Sequence, residues 1–455
     1  SWRGTVTLNR NSMADRIYIK DLGTKVGQKV SVSAWLDVRR DHGKLIFLVL
    51  RDGTGTVQAV ANGKDADVFE VASCLRPEWC VRIEGEIKVR PEKMKNDEPN
   101  GDIELSIENI VVLSRAQELP FDKDAELNLD TYFDHLPFAL RRQRARDIFH
   151  VQATILQTFR DSLVSWGFTE FQAPVIIPQT AEGGAEVFAV DYFGHKAFLS
   201  QSPQFYKQIL VGVYERVFAV NKTLRAEPSV TTRHLTEVTT LDAEFGFIDS
   251  WEELMEMAEY LIKSIFSRVE KDCADILKLY NVTVPQIAKN IPRVKLREAQ
   301  EIIFKRTGRD ARNEPDLSPE DEREICRWSS DVHQSDLVFV SHYPLSKRPF
   351  YTFEDPDDPG YTLSLDLSGR GVEWLTGGQR VNNLAELEER AKGRGVDIAK
   401  SELYLQAFRF GMPPEGGFSF GSERITQGIL NLANIREASL FPRDMERVDV
   451  RLKKV

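Results

Sequence analysis

The 455-residue chain has only four cysteines and seven histidines, and that scarcity removes several chemistries at once. Cys74, Cys80, Cys273 and Cys326 form no CxxC pair, have no histidine at zinc-site spacing and are too few for a disulfide framework. A reducing, cytoplasmic compartment is expected. Long apolar runs are also missing, since none reaches the roughly 18 residues of a membrane span, and no membrane association is expected. Residues 1–12 lack the charged-then-apolar order of a secretory signal and are left out of the fold reading. Excess base is missing too. With 60 Lys+Arg against 70 Asp+Glu, the net charge of -10 excludes a uniformly basic coat but leaves room for a local basic groove. Neither the Walker A pattern nor G-x-G-x-x-G occurs, so any nucleotide must be held without those Gly-rich loops.

Length sets the organisation, because 455 residues exceed what one core supports and imply two or three domains. Residues 29–40, 44–52, 56–61, 79–89 and 102–114 read as five strands, many of them β-branched and alternating in polarity. DADVFEVASCL, between the third and fourth, has apolar residues at helical spacing. Five strands with a helix after the third match the plan of an OB barrel, a fold that often binds single-stranded nucleic acid. Within it, Phe47 lies in an apolar strand, where core packing is the default. Arg39, Arg40, Lys44 and Arg51 supply base that equally suits a solvated face. Residues 116–140 carry two prolines, many acids and no sustained period, and read as a hinge. Ile148, Val151, Ile155, Phe159 and Leu163 then recur at spacings of three and four, opening a second domain with a long amphipathic helix.

The chemistry-bearing stretches lie beyond that helix. GFTEFQAPVIIP (167–178) reads as an extended segment broken by Pro174. QSPQFYKQ (201–208) is uncharged but for Lys207 near its end. YERVFAVNKTLRAEPSVTTRHLTEVTTLDAEFGF (214–247) reads as two strands around a polar loop holding Arg225, Glu227, Arg233 and His234. Such a hairpin can clamp a polyphosphate, though Arg225 and Glu227 could equally pair with each other while Glu237, Asp242 and Glu244 serve a salt-bridged sheet. In LSLDLSGRGVEWLTGGQR (363–380), Asp366 and Glu373 could hold Mg²⁺ through oxygen ligands, although acid pairs at this separation are common. GGFSFGSERITQGILNLANIREASLFPRD (416–444) reads strand, glycine, helix, with Ile425, Ile429 and Leu432 on a buried face and Arg424 on another. Arg424 suits an anion, an aromatic base or a plain interface.

In order and spacing these stretches resemble the motifs of class II aminoacyl-tRNA synthetases of the aspartyl, asparaginyl and lysyl subgroup, and more closely the archaeal and eukaryotic aspartyl type. The resemblance runs from about residue 16 to 448. Motif 1 corresponds to 167–178, motif 2 to 214–247 and motif 3 to 416–444. It implies an α+β architecture: an OB β-barrel for anticodon binding (1–115), a hinge (116–140), and a catalytic domain (141–455) built on an antiparallel sheet flanked by helices. Residues 275–345, which show no motif, would be a variable insertion.

The resemblance also implies roles. Arg225 would hold the ATP α-phosphate, His234 and Arg424 the far phosphates, Glu227 the adenine or its loop, and Arg233 further phosphate contacts. Asp366 and Glu373 would carry Mg²⁺, with Thr376 beside it. Glu182 and Asp242 would meet the ammonium of L-aspartate, Gln204 its α-carboxylate, and Lys207 with Arg380 its side-chain carboxylate. Phe47 and Gln58 would stack on and read the middle anticodon base. An asparaginyl pocket would not place a lysine opposite a neutral amide, and a lysyl pocket would need acid there instead. Dimerisation would follow from motif 1. A synthetase-derived paralogue would tend to lack the barrel, and a scaffold would not need Arg225, Arg424, Asp366 and Glu373.

Two departures stand out: Val238 where relatives place an adenine-stacking phenylalanine, and Trp374 where they have a small aliphatic residue. For tRNA choice, relatives strict for tRNA-Asp carry tryptophan and lysine at two barrel positions, and those that also charge tRNA-Asn carry histidine and proline. Asp37 and Pro99 stand there, which leans toward both tRNA-Asp and tRNA-Asn.

Overall fold

Alternating burial along the first strands closes them around one another. The computed structural model describes residues 16–179, 186–228 and 231–452, and the chain divides into two units, Ser1–Glu126 and Leu127–Val455. In the first, β1 (Lys29–Asp41), β2 (Leu45–Arg51), β3 (Thr56–Asn62), β4 (Cys80–Val89) and β5 (Ile103–Ser114) form a closed barrel in the order β1-β2-β3-β5-β4. Helix α1 (Ala66–Cys74) lies between β3 and β4, its N-cap Asp65 accepting from the Val68 amide at 3.2 Å. Val32, Leu36, Ile46, Leu48, Leu50, Ala59 and Ile83 fill the interior.

The second unit opens with α2 (Gln143–Ser165), whose Val151, Ile155, Phe159 and Leu163 are fully buried. Truncating Phe159 to alanine would cost about 3–5 kcal/mol. The segment read as extended and broken by Pro174 divides into β6 (Thr169–Glu170) and β7 (Ile176–Ile177), which join different sheets. Strands β8 (Ala189–Tyr192) and β9 (His195–Leu199) complete a three-stranded sheet with β7. After α3 (Gln204–Tyr214) come β10 (Arg216–Leu224), β11 (Glu237–Gly246) and α4 (Glu252–Asp272).

Residues 275–345, read from sequence as an insertion, contribute β12 (Arg293–Lys295), α5 (Pro319–His333) and β13 (Leu337–Ser341), and both strands belong to the main sheet. Strand β13 is apolar and buried on both faces, so it reads as a continuous hydrophobic run with no alternation to reveal it. Strands β14 (Ser364–Gly369), β15 (Val372–Gln379) and β16 (Glu415–Gly421) follow, with α6 (Glu402–Arg409) before β16 and α7 (Ser422–Leu430) after it. Leu432, read as part of α7, is buried but lies beyond its end. The eight strands run β12-β13-β14-β15-β16-β11-β10-β6, antiparallel except for the two outermost pairs.

Helices α2, α4 and α7 contribute to the core that covers one face of this sheet. Leu241, Ala243 and Phe245 of β11, Leu365 and Leu367 of β14, and Phe418 and Phe420 of β16 all pack into it. The two-residue period of a strand therefore sends Thr240, Asp242, Glu244, Ser364, Asp366 and Ser419 to the opposite face.

Candidate active site

That opposite face floors a cavity of about 650 Å³. At its inner end, α3 carries Lys207 inward, where Nζ lies 3.2 Å from Asp242 Oδ1 and 3.0 Å from Glu244 Oε2. Arg380, one residue past β15, donates from Nε to Glu244 Oε1 at 2.7 Å and from Nη2 to the Gly417 carbonyl at 3.0 Å. All four side chains are buried. Burial alone would raise Glu244, but Arg380 and Lys207 together hold it below the usual carboxylate range. Gly417 is required beside them, because a Cβ there would sit 2.0 Å from Glu244 Oε2. Lys207, an isolated cation in the sequence, is thus held between two acids. The LDAEF alternation could have revealed both, since it places Asp242 and Glu244 on one face.

The other wall is built by the β10–β11 hairpin. Arg225 leaves the end of β10 with its amide bound to the Thr236 carbonyl at 2.8 Å. Its half-exposed guanidinium is 3.8 Å from Glu227, too loose to satisfy either group. His234 Nδ1 is 2.7 Å from the Thr231 hydroxyl. Burial, offset in part by Glu227 and reinforced by Arg424, Arg233 and Arg225, holds the imidazole below its ordinary pKa. Arg233 is bound by Glu322 of α5 and donates to the Gly371 carbonyl at 3.3 Å. Val238 lines this side.

Glu373 reaches the cavity through a bulge. Leu367 pairs with Leu375 and Ser368 with Glu373, so Trp374 is an extra residue in β15 and Glu373 moves to the face shared by Thr376. Trp374 turns into the core, against Gly369 and Gly428 and edge-on to Phe266. Burial, then the Asp366 charge, pushes the Glu373 carboxyl up to about 7. Arg424 donates to the Glu373 carbonyl at 2.8 Å. Asp366 accepts from Arg348 Nη2 at 2.7 Å, and Arg348 Nη1 bonds the Thr376 hydroxyl at 3.1 Å.

The cavity therefore gathers Gln204, Lys207, Arg225, Glu227, Arg233, His234, Glu373, Thr376, Arg380 and Arg424 along its lining, with Asp242 and Asp366 buried on the same sheet face. Glu182 lies outside the described residues. Sequence reading missed Arg348, which comes from an aperiodic loop, and Glu322, which comes from the segment read as an insertion. Among the described residues no three His, Cys, Asp or Glu side chains gather as a metal site. Two carboxylates do fit a cation shared with a nucleotide. Among the described residues Asp366 Oδ1 is buried without a hydrogen-bond partner, and the crowded Glu373 would be relieved by positive charge.

In the barrel unit, Phe47 faces outward between buried Ile46 and Leu48, half-exposed, with His42 edge-on at 5.4 Å. This corrects the core default, since strand alternation turns it to the outer face. Gln58 donates to Glu104 at 3.2 Å, and Pro99 is exposed between β4 and β5. Asp37 is buried at a bulge in β1, paired with Lys123 and 3.5 Å from Arg51.

Residues 128–445 match the family model described as tRNA synthetases class II (D, K and N), and residues 30–113 match that of the OB-fold nucleic acid binding domain. The chain belongs to the class II tRNA synthetases of this group, which are aminoacyl-tRNA ligases. It is 39% identical over 437 residues to the aspartate–tRNA(Asp/Asn) ligase of Thermus thermophilus, covering 95% of this chain and 99% of that one. With the aspartate–tRNA(Asp) ligase of Thermococcus kodakarensis it shares 37% identity, covering 93% and 96%. The crystal structure of asparaginyl-tRNA synthetase from Pyrococcus horikoshii, complexed with asparaginyl-adenylate, superimposes with a TM-score of 0.86 at 30% identity, covering 96% and 99%. No helix among the described residues is long and apolar enough to cross a membrane.

Proposed function

We propose that the chain activates L-aspartate with ATP to aspartyl-adenylate and pyrophosphate, then transfers aspartate to the 3′ end of tRNA-Asp and of tRNA-Asn. The observation that carries the amino-acid choice is the buried pair Lys207 and Arg380 at the inner end of the cavity. The similarity to an asparaginyl enzyme leaves the substrate open at the level of fold, whereas two cations in a dry pocket favour a carboxylate over an amide. Gln204 would meet the α-carboxylate, with Asp242 and Glu182 at the ammonium.

As the aspartate carboxylate attacks the α-phosphorus in line, Arg225 would stabilise the charge developing there and pyrophosphate would leave. Arg233, His234 and Arg424 would hold the outer phosphates, and Glu227 the adenine or its loop. Asp366 and Glu373, with Thr376 beside them, would hold Mg²⁺, which when bound neutralises phosphate charge. Phe47 offers a stacking face for an anticodon base beside Gln58. A homodimer is supported by apolar surface next to motif 1, where Trp166 and Tyr260 meet at 5.5 Å and Ile176 is exposed.

Dual tRNA choice is supported by Asp37 and Pro99 and by the dual name of the Thermus relative. Purified protein should support aspartate-dependent, not asparagine-dependent, ATP–pyrophosphate exchange and should aspartylate both transcripts. Charging of tRNA-Asp alone under saturating conditions would refute the dual choice. Exchange driven by asparagine would refute the substrate.

A further inference from the structure

Behind the cation pair lies another ionisable group, which the proposed reaction leaves unused. Glu415 opens β16, is fully buried, and accepts at Oε1 from Gln208 Nε2 at 2.9 Å. The Gln208 amide is oriented from its other end: its Oε1 accepts from Gln204 Nε2 at 2.9 Å and from the Tyr404 hydroxyl at 3.1 Å, which turns its NH₂ toward Glu415. Glu415 Oε2 has no hydrogen-bond partner among the described residues. An ionised carboxylate with one bare oxygen in a dry interior is costly, and the acid form is far less so.

The charge count leads the same way. Lys207 and Arg380 are matched by Asp242 and Glu244, so an ionised Glu415 would be a third buried negative charge with no cation of its own. The groups facing it are Glu244 from β11, Arg380 after β15, Lys207 and Gln208 from α3, and Tyr404 from α6. Burial, then the Glu244 charge, pushes the Glu415 carboxyl well above the usual range, outweighing the Gln208 bond, Arg380 and Lys207.

We propose that Glu415 keeps its proton in the working enzyme and is a specificity-determining residue, its neutrality allowing the pocket to admit the side-chain carboxylate of aspartate. The inference rests on the aspartate reading. The ammonium of the substrate offsets its own α-carboxylate, and its side chain then adds one negative charge to a balanced pocket. Ionised Glu415 would double that excess. It is a positioning residue, acting through Gln208 and by adding no negative charge to the pocket.

The test compares full-length wild type with Glu415→Gln. Infrared difference spectra at neutral pH should show a protonated-carboxyl C=O stretch in wild type that the variant lacks, and absence of that band overturns the proposal. The aspartate KM in ATP–pyrophosphate exchange is then followed toward alkaline pH. Where the band bleaches, the wild-type KM should climb by up to about tenfold per pH unit while the variant's does not. Bleaching without that difference overturns the proposal. Should Glu415→Gln not fold, Gln208→Met, which removes a hydrogen bond favouring the ionised form, should move the bleaching to higher pH, and an unmoved transition is the contrary result. Wild type without aspartate-dependent exchange defeats the substrate reading itself; exchange that proceeds without the band defeats only the role of Glu415.

Discussion

Replacing Lys207 with leucine tests the amino-acid pocket where its chemistry is most concentrated. The substitution keeps an apolar stem but removes an ammonium that lies 3.2 Å from Asp242 and 3.0 Å from Glu244. Two effects follow. Among the described residues Asp242 has no other cation partner, and breaking a buried pair by removing one member costs about 3–5 kcal/mol of folding stability. An incoming carboxylate also loses a charge-assisted contact and meets a pocket dominated by acids, a loss of about 2–5 kcal/mol in binding. At about 1.4 kcal/mol per factor of ten, kcat/KM for aspartate should fall by roughly 30- to 4000-fold. ATP should still bind, because Arg225, His234 and Arg424 come from other elements. The assay is aspartate-dependent ATP–pyrophosphate exchange, with ATP affinity and the unfolding transition measured on the same preparation. A folded variant whose exchange stays within threefold of wild type would sink both the substrate assignment and the charge count behind it.

Two further outcomes follow from the geometry. Phe47→Ala should weaken tRNA charging by the worth of one base stack, about 1–3 kcal/mol, while exchange without tRNA is unaffected; unchanged charging would remove Phe47 from the anticodon. Gly428→Ala should lower Tm, because its Cβ would sit 2.0 Å from the Trp374 ring. The helix-propensity gain of about 1 kcal/mol for alanine over glycine is outweighed by overpacking, which typically costs about 1–3 kcal/mol. Adding Trp374→Leu should recover stability, and a stabilised Gly428→Ala would show that the ring does not fill that space.

The barrel was legible because its strands are half-buried, so polarity alternates and each boundary carries a turn residue. The segment holding β12 and β13 was not, because β13 is buried on both faces and carries no period to separate it from a helix or a loop. Site residues divide in the same way. Asp242 and Glu244 could be read from the alternation of β11, yet nothing in LSLDLSGRGVEWLTGGQR announces that Trp374 is the extra residue of a bulge. By strict alternation from Thr376, Glu373 would fall on the core face with Leu375, and no acid would stand opposite Ser368. The bulge corrects that, and its side chain must then occupy the core, where Gly369 and Gly428 leave room for the indole. Trp374 is thus tied to the geometry that keeps Glu373 in the cavity. The core indole and the cavity carboxylate share one backbone irregularity, and a substitution at either position has to be read through the other.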